Sequence, residues 1–215
     1  MTSADTGVRR HRPRTAGPSA GDLRRERLLA ALNDLLQERS LTDIGISDIA
    51  RRAELSRSAF YFYFPSKAAA VAALLGDMYE NIFRVAPWFD EHSGDALRQL
   101  RSGIEQTAAM WRSRPTLMVA MLDAVNDDAD VKATWMSWLA AFEERTAARL
   151  AADQAAGIAR TDIDVETLSR ILVGVIFRAM EDDVRNLHSG RAPWPHLVDT
   201  VYDVWRRSAY RDDSA

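Results

Sequence analysis

The residues best equipped for chemistry lie between Ile46 and Lys67, in the run ISDIARRAELSRSAFYFYFPSK. Arg57 and Ser58 open a short apolar-aromatic stretch, Tyr61 and Tyr63 close it, and Ser47 and Lys67 sit at the starts of the flanking runs. An arginine offers a planar fork of donors that pairs with guanine O6 and N7, and a serine can meet a base or a phosphate. Tyrosine hydroxyls suit phosphate oxygens, and helix starts add unpaired N–H groups and positive potential. The chemistry these types support is reading a nucleic acid, backbone and base edges together. The plain alternatives are a solvated arginine at Arg57 and core packing at Tyr61. Phe60 and Phe64, four residues apart, already supply an inward face, which turns Tyr61 outward.

The elements that must position these side chains are two short helices and a turn. Apolar residues recur at Ile46, Ile49, Ala50 and Ala53, the spacing of one helical face, with Ser47 as the expected cap. Leu55 closes the turn and Ser56 caps the second helix, satisfying N–H groups that would otherwise lack partners. Pro65 ends that helix, because the residue before a proline is pushed out of helical geometry. Ser66 then caps a third helix that begins at Lys67. The unit predicted is a helix-turn-helix, whose second helix enters the major groove.

This segment resembles the DNA-binding domain of TetR-type repressors, through Ile49-Ala50, Ala53-Glu54-Leu55-Ser56, Phe60-Tyr61, Tyr63-Phe64 and Ser66-Lys67. That family usually has Gly where this chain has Glu54, so the turn is expected to hold a non-glycine residue at positive φ, at a cost of about 1–2 kcal/mol. The resemblance implies DNA-contacting roles for Ser47, Arg57, Ser58, Tyr61, Tyr63 and Lys67. It also implies an all-α fold, with an N-terminal three-helix head and a C-terminal six-helix bundle that binds ligand and dimerises.

Helical periodicity is consistent with that plan. Candidate helices span about 21–39, 66–86, 94–112, 115–126, 128–156, 165–188 and 194–210, besides the two of the helix-turn-helix. Leu28, Leu32, Leu35 and Leu36 share one side of the first. No segment alternates with period 2, and no repeat of fixed period is present. The expected division is a disordered arginine-containing arm over 1–20, a DNA-binding head over 21–67 and a second domain over 68–215. The arm, with Arg9, Arg10, Arg12 and Arg14, either lies along DNA or is a solubilising tail.

A second site is expected in the C-terminal part. Val131, Trp135, Trp138 and Phe142 step by 4, 3 and 4 along one helical face, with Leu139 beside them, and Met110, Trp111, Met118 and Met121 can lie opposite. Aromatics with flexible methionines make an adaptable apolar cavity, and they equally make an ordinary core. Within the TetR type, the octapeptide Phe60–Lys67, the arm and the length resemble a subgroup with a long aromatic pocket for extended apolar ligands. That likeness implies pocket positions at Trp135 and Phe142, and places Val173 and Ile176 where the subgroup offers amide side chains.

A third surface is expected along the last two long helices. Leu168, Leu172, Val175 and Ala179 on one, and Val198, Val201, Tyr202 and Trp205 on the other, are too apolar for a single neighbour. In the family, such helices pair with their copies, giving a homodimer suited to a pseudo-palindromic double-stranded DNA operator. The alternative is a buried pair within one subunit.

The 215 residues are 47% apolar, with no cysteine, so thiolate catalysis, disulfides and Cys-based metal sites are excluded. The net charge of −3 is split: residues 1–67 hold 12 Lys/Arg against 8 Asp/Glu, and the remainder 16 against 23. His11, His92, His188 and His196 are scattered, without metal-ligand spacing. There is no phosphate-cradling Gly-rich loop or nucleophile elbow. No catalytic residue, metal or cofactor is expected. No signal peptide is evident and no run approaches the roughly 20 apolar residues of a membrane span, so the expectation is a cytoplasmic protein without membrane contact. The functional expectation is a ligand-responsive transcriptional regulator, most simply a repressor released by a small hydrophobic ligand. The alternative is a helical apolar-ligand binder with constitutive DNA binding or a protein-interaction head.

Overall fold

Helix starts follow the caps. The structure is a computed structural model that describes residues 19–85, 87–90 and 95–211. The helices are α1 (Ala20–Glu38), α2 (Ile46–Arg52), α3 (Arg57–Tyr63), α4 (Lys67–Val85), α5 (Pro87–Asp90), α6 (Ala96–Ser113), α7 (Pro115–Asp127), α8 (Ala129–Ala155), α9 (Val165–His188) and α10 (Leu197–Ala209). Ser19 and Asp22 cap α1 reciprocally, Asp22 N–H donating to Ser19 Oγ at 3.1 Å and Ser19 N–H to Asp22 Oδ2 at 2.9 Å. Asp95, Asp128 and Asp164 accept first-turn N–H groups of α6, α8 and α9, and Pro115 opens α7. Gly157 (φ 75°) and Gly190 (φ 77°) take the left-handed backbone that turns the chain out of α8 and α9.

Nine of these helices are those expected; the single turn α5 and a 3-10 turn at Leu41–Asp43 are additional. Among the described residues there is no strand, only an isolated bridge between Ala159 and Tyr210. Of the arm expected over 1–20, residues 1–18 lie outside the described residues, as does the expected break at Ser93-Gly94, whereas Ser19 and Ala20 are the cap and first residue of α1. No single described helix is long and apolar enough to cross a membrane.

The head core is built by Leu28, Leu32, Leu35 and Leu36 of α1 against Ile44, Ile49, Phe60 and Phe64, all buried. α4 packs on α1 and also on α7 and α8, so it belongs to head and body together. In the body, α9 is the central helix, in contact with α6, α7, α8 and α10.

One polar cluster sits inside the body. Arg149 Nε donates to both Asp153 oxygens at 2.9 and 3.0 Å, and another Arg149 nitrogen donates to the Trp88 carbonyl. Tyr210 Oη donates to Asp153 Oδ2 at 2.8 Å and receives the Trp88 Nε1–H at 3.1 Å. Burial, and then the Asp153 charge, push the Tyr210 hydroxyl well above its ordinary pKa, so it stays a donor. This network ties α5 to α8 and to the end of α10.

Candidate nucleic-acid interface and apolar cavity

The turn between α2 and α3 is held from α1. Glu54 has φ 55°, the one non-glycine residue with positive φ among those described, as expected from its place in the turn. Arg27 steadies this strained corner: its guanidinium donates to the Ala53 carbonyl at 3.1 and 2.5 Å and to the Glu54 carbonyl at 3.3 Å. The α2 start differs from the expectation. Gly45, not Ser47, is the cap, and Asp48 Oδ2 accepts the Gly45 N–H at 3.0 Å. That bond, ahead of the neighbouring Arg51 and Arg39, holds the Asp48 carboxyl below its usual range. Ser47 is left exposed in the first turn of α2, free of capping duty.

Ser56 caps α3, its Oγ accepting the Ala59 N–H at 3.1 Å and lying 2.8 Å from Ser58 Oγ. Phe60 and Phe64 face inward, 0% and 3% exposed, with ring centroids 5.7 Å apart. The opposite face carries Arg57, Ser58 and Tyr61, all exposed. Arg57 donates to the Tyr61 hydroxyl at 3.3 Å and lies 5.7 Å from its ring centroid, so a flexible guanidinium is held beside the aromatic. Tyr63 is half-buried against the head core.

Lys67 departs from a simple phosphate contact. Its Nζ donates to the carbonyls of Leu41 and Ile44 at 2.7 and 2.6 Å, and partial burial lowers its pKa. Two of its three protons therefore bind the loop before α2. One residue the sequence did not single out also belongs to this face: Arg24 of α1 lines a shallow cleft with Glu54, Ser56, Phe62 and Tyr63, where Phe62 is 81% exposed. Nothing local in the sequence marks Arg24, because its proximity depends on how α1 crosses α3.

The expected aromatic site is a continuous chain of rings through the body. Centroid separations are 6.3 Å for Trp138–Trp135, 5.7 Å for Trp135–Phe177, 5.3 Å for Phe177–Phe142, 6.1 Å for Phe142–Phe89, 5.2 Å for Phe89–Trp88 and 5.7 Å for Trp88–Trp205. Trp111 joins at Phe177, 5.7 Å away. All meet at steep angles, the edge-to-face arrangement that aromatic quadrupoles favour.

The column is not uniformly packed. A cavity of about 40 Å³ opens at one end, among Phe89, Phe142, Phe177, Trp88 and Trp205. Leu100, Gly103, Ile104 and Thr107 of α6 close one side, and Val173 and Ile176 of α9 another. Of the expected pocket residues, Phe142, Val173 and Ile176 line this space. Trp111, Met118, Met121 and Trp135 are buried in the core, and Trp138, Leu139 and Met110 pack against it, without bordering the cavity. Phe177, the ring at which the column branches, was not anticipated; it lies within the apolar arc of α9 and carries no separate signal.

The expected dimer residues divide. Leu172, Val201 and Trp205 are 1%, 3% and 4% exposed within a single subunit, so they are core, and Trp205 faces the cavity. Leu168, Ala179, Val198 and Tyr202 are half-buried, and Val175 is exposed. The face left open is formed by Ile171 and Val175 of α9, Val204 of α10 and the preceding Trp194, at 57, 38, 38 and 44% exposure. Val175, Ala179, Trp194, Leu197, Val201 and Val204 line a groove along it.

The comparisons agree with both halves of this geometry. Residues 28–74 match the family described as bacterial regulatory proteins, tetR family, and residues 100–211 match the C-terminal domain of the transcriptional regulator EthR. The chain is 31% identical over 213 residues to the HTH-type transcriptional regulator EthR of Mycolicibacterium smegmatis, covering 97% of this chain and 95% of that one. It is 29% identical over 202 residues to EthR of Mycobacterium tuberculosis, covering 93% of each. Among solved structures, NalD, the secondary repressor of the MexAB-OprM multidrug efflux pump in Pseudomonas aeruginosa, superposes with TM-score 0.70 at 17% identity, over 91% of this chain and 100% of that one. A SmeT–triclosan complex superposes with TM-score 0.68 at 17% identity, over 88% and 93%. At these identities, the two structures speak for the fold.

Proposed function

The chain belongs to the TetR family, with an EthR-type C-terminal domain, and from that premise we propose that it is a homodimeric repressor whose operator binding is relieved by a small apolar ligand. It is a regulator and not an enzyme. The reading divides the chain into an arm (1–20), a DNA-binding head (21–67) and a ligand-binding and dimerising body (68–215), acting on DNA in the cytoplasm.

The observation that carries the ligand half is the cavity at the end of the ring column. Its lining is almost wholly apolar, and at about 40 Å³ it is far below the roughly 300–1,000 Å³ of a typical ligand site. An extended ligand enters only if rings such as Phe142 and Phe177 rotate apart. That demand makes the site a switch: a ligand that needs the expanded column binds one conformer better than the other, and only such a difference shifts the equilibrium. α4, shared by head and body, conveys the change.

For DNA, the exposed Arg57–Ser58–Tyr61 face supports readout, with Ser47, Tyr63 and the cleft around Arg24 at its edges. Lys67 acts chiefly through the loop it holds. Two heads in a dimer, with recognition helices about 34–36 Å apart, read successive major-groove faces of a pseudo-palindrome.

The test is a mobility shift on DNA upstream of the protein's own gene, with nonspecific competitor, repeated with a panel of elongated apolar compounds. A discrete complex with two subunits, released by some of them, is expected. If neither that DNA nor a genome-wide fragment selection yields a competitor-resistant complex, DNA recognition is rejected. A complex that no apolar compound releases rejects the ligand half alone.

A further inference from the structure

Among the described residues, two polar atoms in the cavity wall have no partner. Thr146 Oγ1 and Trp205 Nε1 are buried without a hydrogen bond, and both residues line the cavity. Thr146 is 0% exposed and Trp205 4%. The usual fate of a threonine hydroxyl in a helix is a bond back to the carbonyl four residues earlier. Thr107, on the facing wall, does this with Gly103 at 2.8 Å, and Thr134 does so with Asp130 at 3.0 Å. Thr146 forgoes that bond. A buried polar group left unpaired is costly, and most in folded proteins are satisfied.

The rest of the lining narrows what can satisfy them. Trp205 Nε1–H can only donate, and the Thr146 hydroxyl can donate as well. Among the described residues no charged side chain borders the cavity. A carboxylate or phosphate would be desolvated there without a counter-charge. On the ligand-site reading above, we propose that the ligand carries one neutral hydrogen-bond acceptor, of the ketone, ester or amide carbonyl class, on an otherwise apolar chain, and that Trp205 Nε1 and the Thr146 hydroxyl receive it. The α9 wall of Val173, Ile176 and Phe177 receives apolar chain, so the α8 and α10 sides set both polarity and orientation. The competing occupant is a single water, for which about 40 Å³ suffices.

The probes are 2-nonanone, nonane and nonanoate, binding to the full chain followed by tryptophan fluorescence and by thermal shift, with wild type, Thr146→Val and Trp205→Phe. Thr146→Val keeps shape and removes only the hydroxyl; Trp205→Phe removes the N–H together with part of the indole, so for it the readout is the ratio of 2-nonanone to nonane affinity. Each variant is expected to lower the preference for 2-nonanone over nonane by about 5–10-fold, the worth of one hydrogen bond, and Thr146→Val to leave nonane unchanged or tighter. Nonanoate is expected to bind wild type at least about tenfold more weakly than 2-nonanone, because its charge has no partner. Without ligand, Thr146→Val is expected to melt no lower than wild type. The proposal is overturned if ketone and alkane shift equally in the variants, if neither shifts, or if nonanoate binds best. A lower melting temperature for unliganded Thr146→Val also overturns it, since the hydroxyl then has a partner within the fold. Saturable nonane binding with no ketone discrimination rejects the acceptor alone; no saturable binding of any probe rejects the ligand-site reading with it.

Discussion

Ser66 Oγ donates to Asp128 Oδ2 at 2.7 Å, and each of these residues caps a helix, Ser66 the start of α4 and Asp128 the start of α8. One hydrogen bond therefore joins the end of the head to the turn between α7 and α8. Ser66's hydroxyl, followed by the backbone N–H groups of Val131 and Asp130, holds the Asp128 carboxyl below its usual range. A carboxyl whose folded pKa lies below its unfolded value of about 3.9 contributes stability that is present above about pH 4 and lost as pH falls through the folded value. Asp128→Asn should remove that component. Denaturant midpoints between pH 2.5 and 7 should fall less steeply in acid for the variant than for wild type; parallel curves would show that the bond does not shift Asp128's titration.

The strained turn gives a prediction of opposite sign. Glu54 pays a conformational cost at φ 55° that glycine does not. Glu54→Gly is expected to stabilise the protein by about 0.5–1 kcal/mol, the unfolded-state entropy of glycine offsetting part of the relief. Arg27→Ala, which frees the Ala53 and Glu54 carbonyls, is expected to destabilise it. Urea unfolding decides both, and a destabilised Glu54→Gly would mean that the Glu54 side chain has a role in the turn beyond filling it.

Arg57 tests the interface. Its guanidinium is exposed and steadied by Tyr61, so Arg57→Ala should leave folding untouched. Discrimination of operator from random DNA should fall by about 1–3 kcal/mol, the range of a bidentate base contact. Arg57→Lys should recover little of it, since an ammonium lacks the planar fork. The readout is the ratio of specific to nonspecific affinity at one salt concentration. A uniform loss across sequences would reassign Arg57 to a phosphate.

Phe177 tests the column. It touches Trp111, Trp135 and Phe142, and it borders the cavity. Phe177→Ala should enlarge the cavity at a cost of about 3 kcal/mol, typical of removing a packed phenyl group. Short apolar compounds should then bind with less need for ring rotation and raise the melting temperature more in the variant than in wild type. An equal rise in both proteins would place their binding elsewhere.

The helix ends were legible in the sequence because each is punctuated locally: Ser56, Pro65, Ser66, Pro115 and Asp128 act where they stand. Ser47 misled for the same reason. Serine is a good cap, but Asp48 reaches back to Gly45 and starts the helix earlier. α5 escaped because four residues are too few to show a period. The site residues were less legible, since periodicity gives a face and not the partner it meets. The stripe Trp135, Trp138, Phe142 is real, but only Phe142 reaches the cavity. Lys67 sits at its expected helix start, yet the carbonyls it binds belong to a loop more than twenty residues away.

Trp205 and Val175 show what that ambiguity means for the dimer. Both lie in the apolar arcs of the last two helices, yet Trp205 fills the interior of one subunit while Val175 is 38% exposed beside Ile171, Val204 and the groove that runs past Trp194. Apolar side chains contiguous on an open face are what a second copy would cover. A charge at Val175 can stay hydrated in the free subunit and must be desolvated in a dimer, so Val175→Asp should dissociate the subunits with helical content kept. Trp205→Asp should instead unfold the body and says nothing of assembly. Sedimentation velocity with circular dichroism separates the cases. A folded monomer that has lost the discrete operator complex is expected, because one recognition helix gives up the contacts of the second half-site. A dimer surviving both Val175→Asp and Ile171→Asp would move the interface off this face.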